Sequence, residues 1–370
     1  FMQRRAVCLV SGIYPPEIGG PAKFTVVYNE WLRNLNYETS IITLTNSSDI
    51  YIVENSTPIK KISRNRNLLF RYLICALHIS KEFRLGKTIL ANGMFIETLI
   101  ANFISKGKYV AKVPGDIVWE RARNSGFTSV SAQEFQNLKL PIKYRIFRKL
   151  FTFSLNRASS VIVPSKYLMD FCLGWGVKSS KIKLIHNAIS IEKFPYNPDS
   201  KKYIDVLCVS RLTNLKGLPE VIEVCKKLEL NLTIAGTGPE FENLRNLAQK
   251  LNTNVTFLGD VSQSDLPKLY SAAKLFVLNS QFESTSYSLL EARAVGVFTI
   301  SNLGTGSEEV ISHLVDGLLC GNSNHLTLEQ AIKIANGEKS FRESAVKKAR
   351  EETEKNYDLE LTYKKILEIL

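Results

Sequence analysis

AVCLVSGIYPPEIGGPAKF, residues 6–24, starts as an apolar run and breaks at Ser11-Gly12 into a loop. The run Ala6–Val10 has the length of a short buried strand. Gly19 and Gly20 allow the backbone to approach a ligand closely, and Pro21 suits a first helical position because it lacks an N–H that would be unpaired there. The stretch from Pro21 to Leu35 is amphipathic, so the order is strand, loop, helix. The same alternation recurs. Ile41–Leu44, Thr88–Ala91, Tyr109–Val113, Ser160–Val163 and Ile182–Ile185 read as further short strands. After Asn187 a second series begins with Asp205–Val209, Asn231–Ala235, Val255–Leu258, Leu275–Leu278 and Val297–Ile300. Strands alternating with helices predict parallel sheets, and two series predict two doubly wound α/β domains. The stretch Ser190–Lys202, with two prolines and little periodicity, predicts the boundary between them.

Length agrees, since 370 residues suffice for two cores. A composition of 45% hydrophobic and 22% charged residues excludes a disordered or fibrous chain. No segment approaches the roughly 18 apolar residues of a spanning helix. The apolar run near the N-terminus is too short for a signal-peptide core, so the expected location is the cytoplasm. Six cysteines lie far apart without a CxxC pair, and four histidines are isolated. Buried thiols are expected, with no disulfide framework and no metal. Charge is unevenly divided. Residues 1–190 carry 27 Lys and Arg against 11 Asp and Glu, a net of +16, whereas residues 191–370 carry 21 against 24. The first half therefore calls for a polyanionic partner: a membrane, a phosphorylated acceptor or nucleic acid.

Ligands of doubly wound sheets sit beyond the carboxyl ends of the strands. Three loops there hold unusual residues. Ser11–Phe24 places a glycine pair before a helix start, a ready anion site, although an ordinary strand-to-helix turn looks the same. VSRLTNLKG ends a strand with Arg211 and follows it five residues later with Lys216. Fixed cations there would stabilise a departing diphosphate, and a solvated surface pair is the plainer alternative. NSQFESTSYSLLEARAVG, residues 279–296, spaces Glu283 and Glu291 eight apart, with a helix expected from about Ser286. The Ser284–Ser288 loop would offer backbone N–H groups to an anion. Glu291 could accept hydrogen bonds from vicinal hydroxyls.

These residues, in this order, resemble the retaining glycosyltransferases of family 4. The resemblance runs through PPEIGG, VPSKYLMDFCLGWGV, KIKLIHNAI, VSRLTNLKG, IAGTGPEFENL, VTFLGDV, the pair Glu283 and Glu291, and GSEEVISHLVDGLL. It implies the GT-B fold, two Rossmann-like domains facing across a cleft. Residues 1–190 would bind the acceptor and residues 191–356 the nucleotide-sugar donor, with a helix over 357–370 returning to the first domain. Carried over by position, Glu283 meets the donor sugar and Glu291 the ribose, while Arg211 and Lys216 neutralise the diphosphate. Gly19 and Gly20 close over the phosphates, and the backbone of Ser288 and Leu289 meets them. Glu309 matches an acidic residue of a family turn, with Glu308 where a proline is usual. The chain departs from the pattern at KVPGDIVWERAR, residues 112–123, where many members have a histidine. Asp116 would then face the ligand, unless it is only a turn residue after Pro-Gly; Trp119, Glu120 and Arg121 would line the acceptor side or simply pack.

The resemblance implies a retaining, metal-independent transfer from a UDP- or GDP-linked sugar to a hydroxyl, with no cofactor beyond that co-substrate. The basic amphipathic stretch Lys139–Phe153 and a second cluster (Lys60, Lys61, Arg64, Arg66 and Arg71) point to an anionic membrane surface and a glycan or lipid-linked acceptor at the inner face of the cell membrane. No nucleic-acid signature accompanies the charge, so none is expected as partner. A sugar-nucleotide epimerase of the same fold, a soluble acceptor and an inactive carbohydrate-binding relative are the alternatives.

Overall fold

The computed structural model describes residues 6–197, 199–321 and 325–370. Arg4, Arg5 and the linker's second proline, Pro198, lie outside them. The chain divides into two compact units, residues 1–185 with 363–370, and residues 186–362. Sequence had set the break at 190/191.

Among the described residues, the first unit holds eight strands: β1 Ala6–Ser11, β2 Glu38–Thr45, β3 Ile50–Glu54, β4 Thr57–Ser63, β5 Thr88–Asn92, β6 Tyr109–Lys112, β7 Ser160–Val163 and β8 Ile182–Leu184. Their order across the sheet is β3-β4-β2-β1-β5-β6-β7-β8. All neighbours run parallel except the β3–β4 hairpin. The apolar runs of β1, β5, β6 and β7 are buried because helices cover both faces of such a sheet. Chain direction across the sheet reverses at β1, which lies between β2 and β5.

The second unit holds β9 Ile204–Val209, β10 Leu232–Ala235, β11 Val255–Gly259, β12 Ala273–Leu278, β13 Phe298–Asn302 and β14 Leu318–Cys320, all parallel, in the order β11-β10-β9-β12-β13-β14. Alternate residues feed two cores. Leu275 and Val277 pack on one face of the sheet, and Phe276 and Leu278 on the other. That is the period of two that a strand imposes on its side chains. Here the order reverses between β9 and β12.

Both units are doubly wound, and each has a point where succession changes direction. Ligands of such sheets bind in the crevice this reversal opens. The loops after β1, β5, β9 and β12 are therefore where function is sought. All six cysteines are buried free thiols.

Candidate functional site

In the second unit, β9 delivers Arg211 to its carboxyl end. Arg211 is exposed, and among the described residues its guanidinium has no hydrogen bond or ion pair. The chain then makes a short turn, Asn214–Lys216, and reaches Gly217 at φ 57 before the helix Leu218–Lys227. A side chain at Gly217 would strain that left-handed backbone and place Cβ 2.3 Å from the Asn279 carbonyl. Glycine thus lets the loop after β9 lie directly on the loop after β12. Gln281 N donates to Leu215 O at 2.8 Å, and Asn279 Nδ2 to Gly217 O at 2.9 Å. The Lys216 ammonium and the Glu283 carboxylate form a direct, largely buried ion pair across this seam. Two residues singled out 67 positions apart are therefore one unit.

The loop after β12 is also held from behind. Gly306 N donates to Glu283 O at 2.8 Å, and a Cβ on Gly306 would fall 1.6 Å from the Ser284 carbonyl oxygen. Ser286 then caps the helix Tyr287–Val295, its Oγ accepting from Leu289 N at 3.4 Å and lying 3.1 Å from Ser288 Oγ. Ser288 and Leu289 stand in the first turn of this helix, whose start attracts anions. Glu291 lies one turn deeper, 2% exposed, and accepts from the Tyr270 hydroxyl at 2.9 Å. Burial and the Glu291 charge hold that phenol well above its usual range.

The helix is clamped at its far end. Arg293, fully buried, grips Asp316 with Nη2–Oδ2 at 2.8 Å and a second contact from Nη1 to Oδ1 at 3.3 Å. Sequence reading missed this pair, because a lone arginine in a helix reads as a surface residue and its partner lies 23 positions on. It also missed His186, whose Nδ1 lies 4.0 Å from Glu309 Oε2 and whose ring packs 5.4 Å from that of Tyr357. Glu309 sits in the short turn Gly306–Glu309, and its carbonyl accepts from the Tyr357 hydroxyl at 2.9 Å.

In the first unit, Gly19 caps the helix Gly20–Asn34 without a side-chain bond, and Pro21 follows at its start. Asn92 at the end of β5 donates to Pro21 O at 3.0 Å, tying β5 to the start of that helix. A pocket of about 310 Å³ opens beside this junction. Its wall is mostly apolar, with Glu97, Glu120, Arg71 and Arg121 among its lining residues. Glu97 is 5% exposed and accepts no hydrogen bond from another residue among the described ones. Burial raises its carboxyl, and Arg121 and Arg71 offset part of that. Glu120 is exposed and lines the pocket. The protein around it, followed by the charge of Asp116, nevertheless pushes its carboxyl up to about 7.

Two expectations are corrected here. Asp116 does not present its carboxylate to a ligand. It is fully buried as the N-cap of Ile117–Asn124, with Oδ1 accepting from Val118 N and Trp119 N and Oδ2 from Gln136 and, at 2.8 Å, Arg148. Four donors saturate a carboxylate. Of its neighbours, Trp119 is buried, while Glu120 and Arg121 line the pocket. The second basic cluster is likewise mostly committed internally: Arg64 bonds Glu17, Asn46 and Gly12 O, Arg66 grips Asp49, and Lys61 reaches Pro15 O.

Two doubly wound units of this kind define the GT-B fold, the architecture of a large class of glycosyltransferases. An Anabaena protein, HepE, solved in complex with UDP-glucose, superimposes with a TM-score of 0.77 at 17% identity, covering 98% of each chain. An uncharacterised glycosyltransferase of Methanocaldococcus jannaschii is 28% identical over 55% of this chain and 57% of its own length. A Campylobacter jejuni N,N'-diacetylbacillosaminyl-diphospho-undecaprenol alpha-1,3-N-acetylgalactosaminyltransferase is 27% identical over 58% of this chain and 61% of its own. The chain thus matches somewhat more than half the length of these curated relatives. Residues 190–352 match the family described as glycosyl transferases group 1.

Proposed function

We propose that this chain is a glycosyltransferase that moves a sugar from a UDP- or GDP-linked donor to a hydroxyl of a lipid-linked glycan, in the assembly of a cell-surface polysaccharide or glycolipid. The observation that carries the reading is the reversal point of the second sheet. There an unpaired Arg211, the Lys216–Glu283 pair and a capped helix start come from two adjoining loops within the segment of the matching family. UDP-glucose bound to HepE and the undecaprenol-linked acceptor in the Campylobacter enzyme's name favour the donor and acceptor classes.

The chemistry is that of a leaving group. As the anomeric C–O bond breaks, negative charge gathers on the diphosphate. Arg211 can grip two of its oxygens, Lys216 adds a point charge, and the amides of Ser288 and Leu289 lie at a positive helix end. Glu283 pairs with the Lys216 ammonium; a diphosphate would compete for that cation and release Glu283 toward the sugar. Glu291 suits the ribose hydroxyls. Cations and amides together make a metal unnecessary, and the family resemblance makes the transfer a retaining one. The acceptor belongs in the pocket of the first unit, where Glu97 replaces Asp116 as the carboxylate able to take a hydroxyl. A lipid-linked acceptor puts the enzyme, as a peripheral protein, at the inner face of the cell membrane, with no role for nucleic acid.

Thermal-shift measurements against UDP-, GDP-, ADP- and dTDP-sugars should single out the donor, since a ligand of the folded state raises Tm by mass action. With that donor, Arg211→Ala or Lys216→Ala should lower kcat about 100- to 1,000-fold. Wild-type kinetics in either variant would refute the leaving-group assignment. Epimerised donor as sole product would refute transfer itself.

A further inference from the structure

Between β1 and the helix Gly20–Asn34 the chain runs through residues 12–19 as an irregular loop. Its backbone closes one turn, Glu17 N donating to Tyr14 O at 3.1 Å. The edge hairpin β3–β4 fixes it from outside. The Tyr14 hydroxyl donates to Oε2 of Glu54, the last residue of β3, at 3.1 Å. Lys61 of β4 donates to Pro15 O at 3.1 Å, and its ammonium lies 5.2 Å from the centre of the Tyr14 ring. Arg64, the residue after β4, donates from Nη1 to Glu17 Oε1 at 2.9 Å and from Nη2 to Gly12 O. The loop is thus gripped at Gly12, Tyr14, Pro15 and Glu17, through bonds that span 40 to 52 positions of sequence.

Arg64 is itself well anchored. Its N donates to Thr45 O at the end of β2 at 2.8 Å, and its carbonyl accepts from Arg71 Nη1 at 3.2 Å. Nη1 also meets Asn46 Oδ1 at 2.9 Å. A guanidinium carries its donors in a rigid planar fork, so one side chain can hold a carboxylate and a carbonyl in fixed directions. The far end of the loop follows from the near end. Ile13 adjoins the gripped Gly12, and a Cβ on Gly19 would lie 2.7 Å from Ile13 Cδ1. Holding Gly12 therefore places Ile13, and Ile13 backs the glycine pair. Burial and the Glu54 charge hold the Tyr14 phenol above its usual range, which keeps it a donor to that carboxylate.

We infer that Arg64 is a positioning residue: with Glu54 and Lys61 it clamps residues 12–19 to the edge hairpin, so that Gly19 and Gly20 stand ready for the diphosphate of the donor. The guanidinium is committed to three acceptors of the protein, so it acts on a ligand through the loop and not by contact. A loop already ordered loses less conformational freedom when a ligand binds, and releasing the clamp makes binding bear that cost. The cluster read from sequence as a binding patch thus has internal work. The inference rests on the proposed function only in taking the glycine pair to meet a diphosphate; the clamp itself needs no ligand.

Hydrogen exchange of the full chain without ligand tests the clamp, and calorimetric titration with UDP and with GDP tests its consequence. The amides to follow are those of Glu17 and Lys23, which donate to the loop carbonyls of Tyr14 and Gly19. In Arg64→Gln both should exchange about tenfold faster, with β5 and β9 as in the wild type. Kd for the nucleotide that the wild type binds should rise about tenfold. Arg64→Lys, which keeps a charged donor for Glu17, should recover part of both losses. The double variant R64Q/E17Q should be little worse than Arg64→Gln alone, because the two residues share one bond. Tyr14→Phe removes a single hydroxyl and no charge, so it reads the clamp with the fold intact; it should shift both measurements the same way by less. Unchanged exchange in Arg64→Gln and Tyr14→Phe overturns the inference. So does faster exchange with nucleotide affinity unchanged, which would leave Arg64 a residue of the scaffold alone. A wild-type chain that binds neither UDP nor GDP would count against the proposed donor, and exchange would still decide the clamp.

Discussion

At the scale of the residue, the informative side chains are those whose hydrogen-bonding capacity is either exhausted or unused. Asp116 is exhausted. Removing it in Asp116→Ala strands Arg148, whose side chain is 14% exposed, and two helix-start amides. Loss of a cap together with a buried pair should cost about 3 kcal/mol, read as a lower midpoint in urea unfolding. Donor KM should hold, and a raised donor KM without lost stability would restore Asp116 to ligand contact. Glu97 is unused, so Glu97→Ala should raise acceptor KM about tenfold while Glu97→Gln, which still accepts a hydrogen bond, recovers much of it. Glu120 adds a pH signature. Its carboxyl moves from an ordinary 4.5 up to about 7, so the folded state binds its proton more tightly than the unfolded chain does. The resulting stability is full below about 4.5 and is lost as pH rises through about 7. Glu120→Gln should flatten the fall of Tm over that window, and an unchanged slope would place the titration elsewhere. None of these roles could be read from sequence: Asp116 follows Pro-Gly as any turn residue does, and the surroundings of Glu97 and Glu120 exist only once three helices meet.

Elements were legible wherever burial is two-sided. The apolar runs at β1, β5, β6, β7 and β12 announce themselves because parallel strands covered on both faces admit little else. The hairpin β3–β4 escaped for the opposite reason. It is an edge, β3 is mostly exposed, and its tight turn uses Asn55 and Ser56 at φ 47 and 61 in place of the Asn-Gly that usually signals such a turn. Two of the five residues in the second basic cluster, Lys60 and Lys61, lie on β4 of this hairpin. The helix Tyr287–Val295 was legible at its start, where Ser286 is an ordinary cap, and illegible at its end, where Arg293 meets Asp316 23 positions on. That pair anchors the end of the helix opposite to Ser288 and Leu289. Arg293→Ala leaves a buried carboxylate uncompensated and should destabilise the second unit by about 3–5 kcal/mol. Arg293→Met keeps much of the volume yet still strands Asp316, so it should rescue little. A stable Arg293→Ala protein that binds UDP normally would show the clamp to be dispensable.

For the molecule as a whole, the chain's last residues belong to the unit with which it began. Residues 363–370 cluster with 1–185, although the helix that carries them, Leu359–Ile369, starts in the second unit. The contact is aromatic. Tyr363, 2% exposed, sets its ring edge-on to Tyr28 at 4.9 Å and to Trp31 at 5.6 Å, while Phe24 approaches at 5.9 Å. All three belong to the helix Gly20–Asn34, whose N-cap Gly19 and first residue Gly20 are the glycine pair expected at the phosphates. Amphipathicity alone announces such a terminal helix but not its dock, since any apolar groove would serve. Replacing Tyr363 by alanine empties a site lined by three large rings and should cost about 3–5 kcal/mol. The cost should fall on one unit. Hydrogen exchange should show lost protection across residues 20–34 and β1, while β9 and β12 exchange as in the wild type. Uniform loss across both units would mean that the two unfold as a single cooperative body, and that residues 363–370 serve the whole chain instead of completing the fold of its first half.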